Sequence, residues 1–262
     1  MTDGHSRRGI AVVFAVVGGF MLTLLVLGGL ILRGGGGELP GNETFQAASD
    51  PAELAGAPVA DTRAPSRSAA RRVLPGADPA WAARFGSAAG IPAPAMLAYG
   101  NAELTLDKEQ PGCHLSWNTL AGIGWIESHH GTIGDRALEV DGHSSPPIIG
   151  PALNGQGFAA IRSTPESARW HGDTTWEHAV GPLQFIASTW KKWGADGDHD
   201  GVSDPLDLDD AALAAGHYLC ADGKDLATAA GWNAAVHSYN HDQQYVLDVL
   251  AAANSYAERT AA

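Results

Sequence analysis

The chain has 262 residues, of which 45% are hydrophobic and 17% are charged, a composition typical of a folded domain rather than of a disordered chain. Its formal net charge is −13, and no basic stripe is present that could neutralise phosphates, which argues against nucleic acid as a partner. A polyanionic polymer would therefore be bound through local contacts and not through the overall field.

The N-terminal segment contains an apolar run, residues 10–32, which has no charged residue and is preceded by Arg7 and Arg8. A run of this length spans a bilayer, and no small-residue cleavage site follows it closely. We expect residues 1–9 to be cytoplasmic, residues 10–32 to form an uncleaved single-pass transmembrane anchor, and the rest to be extracytoplasmic at the cell membrane. The alternative is a cleaved or twin-arginine export signal, which would make the protein secreted.

Residues 33–75 open with a run of glycines and continue with scattered Pro, Ala, Ser and Asp, which predicts a flexible linker. Residues 76–262 are predicted to form one mostly α-helical domain, because helical patterns recur there and no alternating strand pattern of any length is present. Its first two helices should begin near Pro79 and Pro94. The stretch 132–167, rich in Gly and Pro, is longer than an idle connection, which predicts a functional loop.

The next predicted helix runs from Ser116, a good N-cap residue, to Gly131, which stops it. Glu127 is the one formally charged residue between Glu109 and Asp135. Helical spacing places its carboxyl group beside packing residues and in the last turn, where desolvation and the helix dipole both raise its pKa. A carboxylic acid still protonated near neutral pH is what general-acid cleavage of a glycosidic bond requires. The alternative is a surface or salt-bridged glutamate.

An aspartate-rich segment matches the ligand spacing of an EF-hand loop. Carboxylates occupy positions 1, 3, 5, 9 and 12, a glycine stands at position 6, and position 7 supplies a backbone carbonyl. The predicted metal ligands are Asp196, Asp198, Asp200, Val202, Asp204 and Asp207. Because these charges repel one another, we expect a bound Ca²⁺ ion, held with modest affinity because position 12 is Asp instead of Glu. The alternative is a solvated acidic loop.

The chain has two cysteines, Cys113 just before the predicted helix of Glu127 and Cys220 at the end of a later helix. In an oxidising compartment we expect them to form a disulfide. It would close a loop of about 100 residues and stabilise the fold by up to a few kcal/mol. The alternative is a pair of separate buried thiols.

Four short motifs follow one another along the chain. They are Trp125-Ile-Glu-Ser128, Gly181-Pro-Leu-Gln-Phe185 leading to Ser188-Thr-Trp190, Asp196-Gly-Asp-His-Asp-Gly201, and Ser238-Tyr-Asn240. In this order they resemble the lytic murein transglycosylases, most closely the B-type branch with the second SLT-type domain, over roughly residues 76–260. Leu183 stands where that family usually has Met, and Ala187 where it usually has Pro. Neither departure removes a functional group.

The resemblance implies a lysozyme-like fold, of goose-type or SLT-like form, that cleaves the MurNAc-GlcNAc β-1,4 bond of peptidoglycan glycan strands without hydrolysis. The products would carry 1,6-anhydroMurNAc ends. One acid is sufficient for this reaction, because the acetamido group of the substrate assists and its own 6-hydroxyl attacks. By resemblance, Glu127 first protonates the leaving oxygen and afterwards removes the proton from the 6-hydroxyl.

The resemblance also implies a set of substrate-binding residues. They are Ser128, Gln184, Phe185, Tyr239 and Asn240. The amide of Gln184 would both donate to and accept from the sugar, while Tyr239 and Asn240 would hydrogen-bond the acetamido group and orient Glu127. In this family the calcium site is structural, and we expect a monomer.

Two other functions remain open. A goose-lysozyme-like hydrolase would need a second carboxylate about 5 to 9 Å from the first, for which Asp135, Glu139 and Asp141 in the long loop are candidates. A non-catalytic wall-binding protein would keep the fold, but it would gain nothing from a buried acid at Glu127.

Overall fold

The computed structural model describes residue 64, residues 76–157 and residues 159–261. The predicted cytoplasmic segment, the transmembrane anchor at 10–32 and nearly all of the linker at 33–75 lie outside the described residues. Within the described ranges, no helix has both the length and the apolar character needed to cross a membrane.

The described part of the chain is mostly helical, which confirms that part of the predicted fold class. Its helices are α1 (Pro79–Ala89), α2 (Ala93–Glu109), α3 (Trp117–Ser128), α4 (Ala168–His171), α5 (Ala187–Trp193), α6 (Leu208–Leu219), α7 (Ala229–Tyr239) and α8 (Gln243–Thr260). A 3₁₀ turn, Ala221–Gly223, follows α6. Two short antiparallel strands, β1 (Ala137–Leu138) and β2 (Ser144–Ser145), pair with Ala137 opposite Ser145.

The first two helices begin where the sequence predicts, and each ends for a local reason. Asp78 caps α1 by accepting a hydrogen bond from the backbone N–H of Ala80 at 2.8 Å, and Gly90 ends it in the left-handed conformation, at φ 76°. Helix α2 begins at Ala93 and ends before Pro111, which has no N–H to continue it.

Helix α3 lies at the centre of the domain and packs against α2 and α8. Its residues Leu120 and Ile123 are fully buried. Gly122 permits the close approach of α8, because a Cβ atom there would lie 2.7 Å from the carbonyl oxygen of Val249. The absence of a side chain at Gly122 therefore allows α8 to pack closely against α3, the helix that carries Glu127.

The ends of α3 differ in detail from the prediction. Ser116 has the extended backbone of an N-cap, but its side chain makes no capping bond. Instead the buried carboxylate of Glu103, in α2, accepts a hydrogen bond from the N–H of Trp117 at 3.2 Å, which also suits the positive end of the helix dipole. The helix ends at Ser128, before the expected Gly131, because His129 already adopts the left-handed conformation at φ 51°.

Cys113 and Cys220 form a disulfide, as the sequence predicts. The two residues are 107 positions apart, so the bond joins the connection between α2 and α3 to the end of α6. It closes a loop long enough to restrict the unfolded chain strongly.

Candidate active site

Glu127 lies in the last turn of α3 with 8% of its surface exposed. Its one hydrogen-bond partner among the described residues is Tyr245, whose hydroxyl donates to Oε1 across 2.7 Å. Tyr245 belongs to the first turn of α8, which Asp242 caps by accepting from the N–H of Gln244. The acid is therefore held at the junction of two helices that are distant in sequence.

Burial raises the pKa of Glu127 from its ordinary value of 4.5 to about 7, and the hydrogen bond from Tyr245 partly opposes this shift. The direction is the one expected from the sequence, and the cause is desolvation. At this pKa the carboxyl group has comparable protonated and ionised populations near neutral pH. The same residue can then give up a proton in one step and accept one in the next.

The turn at 181–185 stands beside this acid. Val180 and Phe185 exchange two backbone hydrogen bonds of 2.9 and 3.0 Å and so close a tight loop. Ser128, the neighbour of Glu127, donates from its hydroxyl to the carbonyl oxygen of Pro182 at 2.6 Å. The loop is therefore fixed directly to the end of α3.

Tyr239 fixes the same loop from the other side, because its hydroxyl donates to the carbonyl oxygen of Leu183 at 2.9 Å. Burial raises the pKa of Tyr239, and the charge of Glu127 adds to the shift, so the two groups are electrostatic neighbours. The predicted role of Tyr239 in orienting Glu127 is not seen as a direct hydrogen bond in this structure. Its hydroxyl hydrogen is used by Leu183, and Tyr245 holds the acid instead.

Gln184 has an uncommon backbone conformation within this turn. Its backbone lies at φ 53°, a region that side chains rarely adopt outside functional sites and tight turns. Its Nε2 donates to the carbonyl oxygen of Gly181 at 2.9 Å, and the side chain is half-buried. Its amide oxygen accepts no hydrogen bond from a residue that the structure describes, so it is available to a ligand donor.

Three of the residues predicted to bind substrate are buried and contact the protein itself. Ser128 is fully buried, and its hydroxyl accepts from the N–H of Gly131 as well as donating to Pro182. Phe185 is 3% exposed and packs its ring against Trp190 and Tyr239. Asn240 is 5% exposed, and its side-chain oxygen accepts from the N–H of Asp242 at the start of α8. These three residues hold the loop and α8 in place. In contrast, the amide oxygen of Gln184 accepts no hydrogen bond from the described residues.

The candidates for a second acid are all exposed. Asp135 follows α3 in a turn, at φ 62°. Glu139 and Asp141 lie at the hairpin between β1 and β2, where the side chain of Asp141 is 71% exposed beside His143. No carboxylate among the described residues contributes to the shifted pKa of Glu127.

The aspartate loop forms a compact cluster with a membership that differs from the prediction. Asp196, Asp198 and Asp210 each bring one carboxylate oxygen within 4.8 Å of the other two. Asp210 also accepts backbone hydrogen bonds from Gly197 at 2.6 Å and Asp204 at 2.8 Å. The loop therefore folds around the carboxylate of a residue in α6 that the EF-hand spacing does not include.

Asp207, predicted as the ligand at position 12, lies outside this cluster and has a structural role as a helix cap. Helix α6 begins at Leu208, so Asp207 is its N-cap and accepts the N–H of Asp209 at 2.8 Å. Asp210, almost one helical turn later, directs its side chain back to the loop. Asp200 and Asp204 also lie outside the cluster, and the side chain of Val202 is exposed.

The electrostatics of the cluster suit a bound cation. Burial raises the pKa of Asp210, the buried member of the cluster, to about 6, and the nearby carboxylates of Asp207 and Asp198 add to the shift. When these carboxylates are ionised they repel one another, and a bound divalent ion would remove this repulsion. The donor set consists of oxygen atoms alone, which fits Ca²⁺ or Mg²⁺ better than a transition metal.

The sequence gives no signal that singles out Tyr245. It stands at an ordinary core position of an amphipathic helix and is 4% exposed, as its apolar neighbours are. Only the crossing of α3 and α8 brings its hydroxyl to Glu127. An aromatic residue three positions after an N-cap aspartate is too common a pattern to mark a site.

Comparisons with known proteins find similarity at the level of structure. No protein-family model matches the chain, and no curated protein matches it. The chain is similar to the Escherichia coli lytic transglycosylase Slt35 in complex with bulgecin A, with 14% identity and a TM-score of 0.38, over 69% of this chain and 79% of that chain. For the same E. coli protein in complex with calcium, the identity is 14%, the TM-score 0.37, and the coverage 69% and 80%. TM-scores this low do not establish a shared fold.

Proposed function

We propose that the domain at 76–262 is a lytic transglycosylase that cleaves the MurNAc-GlcNAc bond of peptidoglycan and leaves 1,6-anhydroMurNAc ends. The observation that carries the proposal is the burial of Glu127, with a pKa raised to about 7, beside a strained loop whose Gln184 keeps a free acceptor. The order of the four sequence motifs supports the same assignment.

In the first step, protonated Glu127 donates its proton to the bridging oxygen while the bond between that oxygen and C1 of MurNAc breaks. The acetamido group of the substrate assists at C1. Because Tyr245 occupies Oε1, the transferred proton belongs on Oε2. The same hydrogen bond stabilises the carboxylate that remains after the transfer.

In the second step, the 6-hydroxyl of the same sugar attacks C1 and forms the anhydro ring. Its proton passes to the Glu127 carboxylate, so the enzyme returns to its starting state without water as a reactant. A pKa of about 7 lies close to the optimum for a group that must act as acid and then as base. The attacking group is already attached to the substrate, which reduces the entropic cost of the step.

The hydrolase alternative is less well supported. Two carboxyl groups about 5 Å apart in a buried site shift each other's pKa, yet burial and Tyr245 are the effects that act on Glu127. Asp135, Glu139 and Asp141 are solvent-exposed. A non-catalytic wall-binding role is also disfavoured, because an acid with a raised pKa costs stability when it ionises and gives a binding surface nothing in return.

The location of the domain is part of the proposal. Residues 10–32 would anchor the protein in the cell membrane, with residues 1–9 in the cytoplasm and the domain outside, or a cleaved signal would release it. The disulfide between Cys113 and Cys220 supports an extracytoplasmic domain, because such bonds persist in oxidising compartments. N-terminal sequencing of the protein from membrane and secreted fractions tests which form exists.

The test of the reaction is mass spectrometry of purified peptidoglycan digested with the wild-type protein, the Glu127→Gln variant and the Glu139→Gln variant. We expect anhydro ends from the wild-type protein and from Glu139→Gln, which changes an exposed acid, and no products from Glu127→Gln. Reducing muramic acid ends would establish hydrolysis instead. Intact strands that stay bound to the wild-type protein would establish a binding protein.

A further inference from the structure

The long loop, residues 132–167, is hydrogen-bonded to the segment that leads into the turn at 181–185. The N–H of Gly150 donates to the carbonyl oxygen of Ala179 at 2.8 Å. A side chain joins the same two segments, because the ring of His178, the residue before Ala179, also contacts Gly150. This junction therefore fixes how the segment before the turn lies against the long loop.

Both ring nitrogens of His178 face hydrogen-bond acceptors. Nδ1 lies 2.7 Å from the carbonyl oxygen of Gly150, and Nε2 lies 3.2 Å from Oδ2 of Asp173. A carbonyl oxygen and an ionised carboxylate only accept hydrogen bonds, so both nitrogens of His178 must donate. A neutral imidazole has one N–H group, whereas the imidazolium ion has two. The geometry therefore fits the cationic form of His178.

Asp173 is ionised in this arrangement. Its Oδ1 accepts the backbone N–H groups of Thr175 at 2.7 Å and Trp176 at 3.1 Å, while Oδ2 faces His178. The two backbone hydrogen bonds, together with the one from His178, lower the pKa of Asp173 from its ordinary value of 3.8. Asp173 therefore keeps its negative charge through the pH range in which imidazole groups change charge.

Two further titratable groups face His178. Glu177 is 2% exposed, and its Oε1 accepts the backbone N–H of His178 at 3.3 Å. The centroid of the His171 ring lies 4.7 Å from that of His178. Burial lowers the pKa of His171, whose Nδ1 accepts the backbone N–H of Asp173 at 3.2 Å, so the neutral ring carries its hydrogen on Nε2. The positive charge of this cluster therefore belongs to His178.

The same segment of chain contacts the end of α3. The turn at 181–185 begins shortly after His178, and Pro182 lies within it. The carbonyl oxygen of Pro182 accepts the hydroxyl of Ser128, the neighbour of Glu127, at 2.6 Å. A short stretch of backbone and one hydrogen bond therefore connect His178 to the helix end that carries the candidate acid.

We propose that the ion pair of His178 and Asp173 is a pH-sensitive latch that positions the turn at 181–185. In mildly acidic solution His178 is cationic, and its two hydrogen bonds hold the long loop against the segment before the turn. When His178 loses a proton at higher pH, one ring nitrogen becomes an acceptor that faces another acceptor. That hydrogen bond is lost, and the junction opens more often. His178 is a positioning residue, because it acts through the backbone of the turn.

Hydrogen exchange of the backbone amides at 148–154 tests the latch. The Glu127→Gln protein is used, because it lacks the titration of Glu127 and needs no cleavage. After correction for the intrinsic pH dependence of exchange, protection should be about tenfold greater at about pH 5.5 than at about pH 8, since one charge-assisted hydrogen bond is lost. Protection that does not change between the two pH values would overturn the proposal.

Two variants of His178 separate its charge from its size. His178→Arg stays charged and keeps its donors, so protection should be high at both pH values, whereas His178→Gln should give low protection at both. Any pH dependence due to other histidines would persist in His178→Arg. His217→Gln is the matched control and should behave as the unaltered protein, because His217 pairs with Glu109 at 2.7 Å between α6 and α2. Protection in His178→Gln equal to that of the control at pH 5.5 would reject the latch.

Asp173→Asn provides an independent test. Its Oδ1 can still accept from Thr175 and Trp176, but an amide NH₂ group replaces Oδ2 and can donate to a neutral ring nitrogen of His178. Protection should then be greater at pH 8 than at pH 5.5, the reverse of the order with Asp173 in place. An unchanged order would contradict the assignment of donors and acceptors.

The consequence for cleavage rests on the proposed function and is tested separately. Glu127 titrates in both the wild-type and the His178→Arg proteins, so its contribution cancels when their kinetics are compared at each pH. We expect equal KM values at pH 5.5 and a KM about two- to tenfold lower for His178→Arg at pH 8, with kcat unchanged. A pH-dependent latch in a protein that cleaves nothing would reject the reaction and keep the latch. Cleavage with equal KM values at both pH values would show that the latch does not position the turn.

Discussion

The hydroxyl of Tyr245 donates to Oε1 of Glu127 across 2.7 Å and so joins the first turn of α8 to the last turn of α3. This hydrogen bond opposes the effect of burial on the pKa of Glu127. It also leaves one oxygen of the carboxyl group to act on a ligand. The environment of the Glu127 carboxyl group therefore depends on the position of a helix that is distant in sequence.

Replacement of Tyr245 by Phe should raise the pKa of Glu127 above about 7, because the hydrogen bond that lowers it is lost and burial remains. We expect the alkaline limb of the pH–rate profile to move to higher pH and turnover to fall by about 10- to 100-fold. The measurement is the pH dependence of anhydro-end formation. Tyr256→Phe is the control, since Tyr256 is a buried tyrosine of α8 that contacts His130 at 2.8 Å. A profile that moves equally in both variants would reject the role of Tyr245.

The Glu127→Gln variant should be more stable than the wild-type protein at pH 8 and about equally stable at pH 4. The folded-state pKa of Glu127 is raised, so its ionisation between the ordinary value of 4.5 and about 7 disfavours the folded state. The difference in the free energy of unfolding between the variant and the wild-type protein should approach about 3 kcal/mol at pH 8. Urea unfolding at the two pH values measures it. A difference independent of pH would show that Glu127 does not titrate in this way.

Calcium should raise the melting temperature of the wild-type protein, and Asp210→Asn should abolish this response, because Asp210 completes the acidic cluster. Asp207→Ala should keep the response but lose about 1 kcal/mol from the missing N-cap. Thermal unfolding with added calcium and with chelator measures both effects. Loss of the calcium response in Asp207→Ala, with its retention in Asp210→Asn, would support Asp207 as the ligand.

Gly122→Ala should destabilise the domain by about 1–3 kcal/mol, because the new Cβ would meet the carbonyl oxygen of Val249 at 2.7 Å and push α3 and α8 apart. It should also lower activity, since α8 carries Tyr245. Gly112→Ala is the control, because a Cβ there meets nothing within 4 Å. Chemical unfolding measures the loss of stability, and the cleavage assay measures the loss of activity. Equal stability of the two variants would contradict the packing explanation.

Local sequence patterns predict the burial and raised pKa of Glu127, because both follow from one charged residue in an apolar helix. They do not predict Tyr245, since that contact depends on the crossing of two helices set by Gly122. The EF-hand spacing includes Asp196 and Asp198 of the observed cluster but not Asp210, because a fixed ligand spacing takes no account of where α6 begins. Residue spacing therefore predicts the environment of a side chain well within one helix or loop. It predicts poorly which side chains meet where two such elements contact each other.

The disulfide between Cys113 and Cys220 also bears on when the domain becomes fully stable. It links the residues just before α3 to the end of α6, the two helices that carry Glu127 and Asp210. If the domain is exported as proposed, the newly synthesised chain in the reducing cytosol lacks this link, and its helices are less firmly held before translocation. Maturation of a wall-degrading protein would then coincide with arrival beside its polymer.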